Sequence, residues 1–269
     1  MWYGACLNES LPTTTPMHHS PQVDTALPST RSPLAPGEGI GRNRLLGALS
    51  ADDLDQILPS LESVPLVDGM PIYEPNEPIS HVYFPISGVV SLVSEMREGT
   101  VEVGTIGREG MTGLPLVLHA RTMPSRAFVQ VPGHAYRMRG TDLVTILREV
   151  PRIERLVYRY IMALFDQAAQ HAACNRLHDL EERCARWLLM THDRVDGDVL
   201  PLKQQFLAEM LGVHRPAVTI AAGALQKAGV IRYTRGKVTV LDRAALEEAS
   251  CECYGIIARR AAELLDQSD

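Results

Sequence analysis

The 269 residues, 45% of them hydrophobic and 22% charged, carry a formal net charge of −6 and a mean hydropathy of −0.04, which suits a water-soluble chain with room for two cored domains. No apolar run nears the roughly 18 residues of a membrane span, and no basic segment followed by an apolar stretch marks a secretory signal. Five scattered cysteines are too few for a disulfide framework, so a reducing, cytoplasmic location is expected.

Residues 1–42 hold Pro12, Pro16, Pro21, Pro28, Pro33 and Pro36 among Ser and Thr, with few large apolar side chains. Such a segment cannot offset its ordering entropy and predicts a disordered tail; His18 and His19 within it are weak metal ligands. Residues 43–150 read as one effector domain. A helical pattern covers 43–66, with Ser50 an N-cap and Asp53 three positions on. Short strands follow at 81–84, 89–93, 101–106, 127–131 and 135–138, with turns at Pro75-Asn76, Ser87-Gly88, Glu98-Gly99 and Pro132-Gly133. This spacing predicts a β-roll or jelly roll enclosing a pocket. The glycines of the 104–113 loop could bring backbone N–H groups to an anion.

A helix is expected from Thr141-Asp142 to Val150, and a second from Pro151 to about Leu177, roughly 40 Å long. Leu156, Tyr160, Ala163, Gln167, Gln170, Cys174 and Leu177 recur at alternating spacings of four and three. That is a coiled-coil seam, and it predicts a parallel homodimer through residues 151–178, with Gln167 and Gln170 fixing the register. The competing arrangement is an amphipathic helix lying on its own roll. Asp179 and Glu182 form a capping box for the next helix, leaving 175–179 as a hinge.

Residues 179–243 read as a winged helix-turn-helix. Phe206, Leu207, Met210 and Leu211 recur at helical spacing, Gly212 interrupts, and a second run opens at His214-Arg215-Pro216 and ends at Gly229. Ile231–Thr234 and Lys237–Leu241 alternate about Arg235-Gly236 as a hairpin. Lys203, Arg215, Lys227, Arg232, Arg235, Lys237 and Arg243 stand against only Glu209 and Asp242 between positions 203 and 243. A basic segment in an acidic chain points to phosphate binding. Placed in the major groove by its first turn, the second helix would read bases through His214, Arg215, Thr219 and Ile220, with Arg215 bidentate to guanine and Ile220 against thymine methyls. Lys203, Gln205, Arg235 and Lys237 would hold phosphates. Residues 244–269 are expected to be a helical extension. On a helix, Cys251 and Cys253 would point about 200° apart, so packing is expected for them and no metal or cofactor is assigned.

This order of elements resembles the cAMP-receptor-protein and Fnr family of bacterial transcription regulators, over about residues 43–243. The resemblance rests on Leu207-Ala208-Glu209-Met210-Leu211-Gly212-Val213-His214-Arg215 with Val218, Leu225, Gly229 and Ile231, and on Val82-Tyr83-Phe84-Pro85-Ile86-Ser87-Gly88. It implies an α+β chain with a cyclic-nucleotide-binding-like roll, a long dimerisation helix and a winged helix-turn-helix. It also implies a non-enzymatic regulator binding double-stranded DNA as a homodimer on a two-fold operator, with RNA polymerase as a partner and a small-molecule effector in the roll. The expected effector pocket holds Gly107, Arg108 and Glu109 of the glycine loop with Gly113 and Arg126, and the family's cyclic-phosphate positions match Gly113-Leu114 and Ser125-Arg126-Ala127. Leu114 stands where cyclic-nucleotide binders use Glu, and Arg126 is displaced by one place, which on a strand turns it to the other face; cAMP is therefore not the expected ligand. A lone Cys6 in the tail does not supply an iron–sulfur site. The alternatives are a sensor acting through protein contacts and a metal-dependent jelly-roll oxygenase using His81, His119 and His134 with Glu109. The second lacks the close histidine pair such sites use.

Overall fold

The computed structural model describes residue 35 and residues 37–265. The tail expected over 1–42 thus lies mostly outside the described residues, but its last part is folded: Ile40, in a 3-10 turn Ile40–Arg42, is buried in the roll core. Two short helices follow, α1 (Arg44–Gly47) and α2 (Ala51–Ile57). Ser50 caps α2 as expected, accepting the Asp53 N–H at 3.1 Å. The helical pattern expected up to residue 66 stops earlier. Glu62–Leu66 is strand β1, because its backbone pairs with β5 (Arg126–Arg139), with the Glu62 carboxylate 2.5 Å from Arg137.

With β2 (Pro71–Tyr73), β3 (His81–Met96) and β4 (Gly99–Ile106) the antiparallel sheet runs β1-β5-β3-β4, and β2 also pairs with β5. The five predicted short strands are three long ones. Ser87-Gly88 and Pro132-Gly133, expected as turns, are facing irregularities within β3 and β5, where the register shifts three times between Pro85 and Val90. A Cβ on Gly88 (φ 84°) would lie 2.6 Å from the Val131 carbonyl oxygen, and one on Gly133 would lie 2.3 Å from that of Ser87. The missing side chains let the two strands pass this closely and bend without breaking. Glu98 does turn, together with Arg97, as the β3–β4 hairpin, and Gly99 opens β4 opposite Met96.

After α3 (Leu114–Val117) and β5 come α4 (Gly140–Glu149) and the 27-residue α5 (Pro151–Leu177), with the bounds the sequence indicates. Its predicted seam is not a free face. Leu156, Tyr160, Ala163, Gln167 and Cys174 are buried within the chain and Gln170 is half-buried, while Leu177 is 75% exposed. The reason is the C-terminal extension. After α9 (Arg243–Glu248), helix α10 (Cys253–Leu265) returns along α5 with Ile257 and Leu265 buried and Arg260 paired to Asp166 at 2.7 Å. Leu156 and Tyr160 meanwhile sink into the roll core. What α5 leaves exposed is a different stripe: Tyr158, Met162 and Phe165 (66% exposed), then Ala169, Ala172 and Ala173.

The second core belongs to α6 (Leu180–His192), α7 (Gln204–Leu211), α8 (Arg215–Lys227) and a sheet of β6 (Val199–Leu200), β8 (Lys237–Val240) and β7 (Ile231–Thr234). The Asp179–Glu182 capping box is formed in both directions. No described helix is long and apolar enough to cross a membrane.

Tyr160 anchors α5 in the roll, and Gly110 makes room for it: a Cβ there would lie 1.9 Å from the ring. Gly110→Ala is therefore expected to lower the unfolding free energy by about 1–3 kcal/mol, read as a shift of the urea midpoint. An unshifted midpoint would mean that the Tyr160 ring yields freely.

Candidate nucleic-acid interface

Helix α7 ends because Gly212 takes a left-handed φ of 65°, and α8 restarts at Arg215 with His214 as its N-cap residue. Pro216 in the first turn sacrifices no helical hydrogen bond. Val218, Ala221, Ala222 and Leu225 face the core, which turns His214, Arg215, Pro216, Thr219 and Ile220 to solvent. Ile220 is 76% exposed. The Thr219 hydroxyl donates to the Arg215 carbonyl (3.1 Å) or to Gln204 Oε1 (3.2 Å), which keeps its oxygen free to accept. Gly229 (φ 78°) stops α8, with the Val230 N–H donating back to the Leu225 carbonyl.

The wing is a two-residue hairpin. Arg235 (φ 49°) and Gly236 (φ 75°) are both left-handed, as a tight turn between right-twisted strands requires, and Thr234 faces Lys237 across it. Lys203, preceding α7, lies against the same turn, its Cγ 3.5 Å from where a Gly236 Cβ would be. Lys203, Arg215, Lys227, Arg232, Arg235 and Lys237 are all exposed, and none pairs with a described carboxylate. Gln205 is exposed but donates to Glu209 Oε1 at 2.9 Å within α7. Arg243 is turned inward, held by Asp193 and Glu247. The predicted base-reading and phosphate-holding residues are therefore all exposed, with Lys203 against the wing turn and Thr219 against Gln204 at the start of α7.

The expected effector residues do not gather around an anion. The Gly107 N–H already has one, Glu109 Oε1 at 3.0 Å, and that oxygen also takes Arg194 from the end of α6 at 2.8–2.9 Å. Arg108 donates to the Val195 carbonyl (2.9 Å) and reaches Asp196, which Arg42 pairs at 2.6 Å. The glycine loop is thus a dock for the 193–196 turn: a Cβ on Gly107 would strike the Arg194 stem at 2.5 Å. Gly113 packs on Val82, and Arg126 pairs with Glu74 (3.3 Å) over the ring of Phe128. Gly104, at the overlap of the expected 101–106 strand and the glycine loop, is inside β4. Arg108, Glu109, Tyr160, Arg194 and Tyr254 line a cavity of about 250 Å³ between the dock, α5 and α10.

A second contact ties the two cores. Glu102 on β4, 6% exposed, receives the Trp187 indole N–H of α6 at 2.5 Å. Phe206 of α7 packs edge-on against Phe128 and Trp187. Sequence reasoning missed Glu102, Trp187 and Arg194, because the partners stand 85 residues apart and neither side carries a local motif.

Comparison with known proteins agrees with this division. A cyclic nucleotide-binding domain model matches residues 64–150, and a Crp-like helix-turn-helix domain model matches residues 182–249. Among solved structures, FixK2 from Bradyrhizobium japonicum is similar with a TM-score of 0.60 at 16% identity, over 71% of this chain and 98% of that one. The c-di-GMP-responsive global regulator CLP of Xanthomonas campestris gives 0.57 at 18%, over 71% and 99%. TTHA1359, a CRP/FNR-family transcriptional regulator from Thermus thermophilus, gives 0.56 at 19%, over 70% and 98%. No curated protein sequence matches the chain. At these identities the structural likeness bears on the fold.

Glu102 makes the contact between the cores sensitive to pH. Burial raises its carboxyl above the ordinary carboxylate range, and the hydrogen bonds from Ser91 and Trp187 only partly oppose this. The Ser91 hydroxyl has one proton for two acceptors, Glu102 Oε1 and Gln130 Oε1, both at 2.6 Å. A protonated Glu102 can donate to Ser91 and free that proton for Gln130. A raised folded value means the native state holds the proton more tightly, so this contribution is present at low pH and is lost as pH rises through that value. Urea midpoints measured across pH should therefore fall through this window in the wild type and stay flatter in Glu102→Gln. Parallel pH profiles would show that folding does not shift the Glu102 carboxyl.

Proposed function

We propose that this chain, which belongs to the Crp/Fnr family of transcription regulators, acts by binding a two-fold operator as a homodimer, with the start of α8 in the major groove. The observation that carries this reading is the unpartnered cationic rim around an exposed helix start, on a chain that is acidic overall. Cations left without internal partners are free to replace the counter-ions of a phosphate backbone. Arg215 supplies the one bidentate donor of the first turn, Ile220 offers an apolar surface to thymine methyls, and Thr219 can accept or donate. Lys203, Arg235 and Lys237 fix the register on the backbone. Gln205 is a weaker phosphate candidate, since Glu209 already takes its amide.

The dimer forms through the exposed stripe of α5 rather than the seam expected from spacing. Tyr158, Met162, Phe165, Ala169 and Ala172 alternate by four and three, and a second copy would bury them in a parallel pair. The two reading helices then face successive major grooves about one helical turn apart. An effector acts by shifting the contact between roll and winged domain, and the 250 Å³ cavity beside Arg194 is where a small one would bear on it. With Glu109 already facing Arg194, a further anion there is disfavoured, which fits a ligand other than a cyclic nucleotide.

Arg215→Ala should lose about 1–3 kcal/mol on operator DNA and relax specificity at one guanine per half-site. Lys237→Ala should weaken operator and random DNA alike and reduce the salt slope by about one. Fluorescence anisotropy on both DNAs over a salt series reads the difference; equal losses on the two DNAs for Arg215→Ala would remove its base-reading role. Phe165→Glu should convert the dimer to monomer in analytical ultracentrifugation without lowering the urea midpoint. A dimer that persists would place the interface elsewhere.

A further inference from the structure

The last turn of α5 and the turn before α10 bring four ligand-type side chains together. Cys174 and His178 are four apart, joined by the final helical hydrogen bond from the His178 N–H to the Cys174 carbonyl at 3.1 Å, so they share a face. Cys251 and Cys253 do not lie on one helix, as the sequence suggested. Helix α9 ends at Glu248 and α10 begins at Cys253, so the intervening turn points both sulfurs the same way. The Cys174 and Cys251 sulfurs are 3.5 Å apart, Cys253 Sγ is 3.5 Å from His178 Nδ1, and all four ligand atoms lie within 4.8 Å of one another.

We propose that Cys174, His178, Cys251 and Cys253 form a mononuclear zinc site that clamps the end of the long helix α5 to the start of α10. Tetrahedral zinc with Zn–S near 2.3 Å and Zn–N near 2.0 Å sets its ligands about 3.8 Å (S to S) and 3.6 Å (S to N) apart, close to the spacing found. The outer contacts are those of a metal site. His178 Nε2 is 3.1 Å from Glu252 Oε2, the carboxylate that orients a ligating imidazole and fixes its tautomer, and Gln170 Nε2 donates to Cys253 Sγ at 3.1 Å. The three cysteines form a cluster of their own, at most 3% exposed and separate from both large cores. As plain core fillers they would not account for an imidazole held by a carboxylate behind it.

Charge supplies an independent argument. Arg186 is 3% exposed, contacts Met190 Sδ and has no carboxylate partner among the described residues. A buried guanidinium without a counter-ion is costly. Three thiolates and one neutral imidazole on Zn²⁺ carry a net charge of −1, and Arg186 is close enough to act on Cys174. Loading releases the three thiol protons to solvent, with no change in oxidation state.

The site sits at the junction between α5 and Asp179, which caps the first helix of the winged domain. A filled site would stiffen that junction, and an empty one would leave α10 held by packing and the Arg260–Asp166 pair. The test uses the full chain, purified under reducing conditions and then freed of reductant. Plasma mass spectrometry should find about one zinc per chain that survives gel filtration. Cobalt(II) exchanged in its place should show the intense visible bands of tetrahedral thiolate coordination. Cys251→Ser and Cys253→Ser should lose the ion while Cys6→Ser keeps it. Because the first two variants risk misfolding, the wild-type cobalt spectrum and the thiols freed by a chelator serve as tests that need no variant. Zinc and cobalt that wash off the wild type, or a Cys174–Cys251 disulfide in metal-free protein, would overturn the proposal.

Discussion

A 27-residue helix can bury only one face in its own chain, and the face chosen on α5 governs the molecule around it. Leu156 and Tyr160 enter the roll, Ala163 and Gln167 face α10, and Cys174 joins the thiol cluster. Tyr160 in turn requires a glycine at 110, and so shapes the loop that receives Arg194. The rest of the helix must then present Tyr158, Met162 and Phe165 outward. An apolar stripe of that length is the surface on which the proposed dimer rests.

The contacts between the two cores include the Phe206–Phe128 ring pair, the Asp196 ion pairs and two polar contacts that are buried. Arg194 on Glu109 and Trp187 on Glu102 both set a donor of the α6 region against a carboxylate of the roll. The Arg194–Glu109 pair adds little net stability, because desolvation offsets its attraction, yet losing one partner leaves a charge stranded; losing Trp187 would leave the buried Glu102 carboxyl short of a hydrogen bond. The arrangement is therefore close to all-or-none: the winged domain is docked with both carboxylates satisfied, or it moves and both must find water. That is the bistability a ligand-controlled hinge needs.

How much of this was legible in the sequence divides by range. Caps, turns and periodicities within a few residues read correctly: Ser50, the Asp179–Glu182 box, Gly212, the Arg235-Gly236 turn and both ends of α5. Features set by a distant partner did not. Gly88 and Gly133 look like turn residues until the opposite strand shows that they are crossing points. The seam of α5 was seen as a buried face, which holds for all but the half-buried Gln170 and the exposed Leu177, but heptad spacing cannot distinguish a second copy from a C-terminal helix of the same chain. Glu109 and Arg108 were drawn into an anion site by the loop's glycines, whereas Arg194, 85 residues on, takes the carboxylate. Of the thiol cluster, the four-residue spacing of Cys174 and His178 was readable; the turn that redirects Cys251 was not.

The covering of α5 by α10 also has a dimension in time. Cys251 follows Cys174 by 77 residues, which at about 5–20 residues per second is roughly 4–15 s of synthesis. During that interval a nascent α5 exposes apolar side chains on both of its sides, the stripe that stays exposed in the folded chain and the face that α10 later covers. Neighbouring chains on one message would meet in that state, and either face could be taken first. A correct partner choice therefore depends on α10 arriving before the inward face finds another chain, so a shortened C-terminus would direct these molecules toward entangled assemblies even where each core remained able to fold.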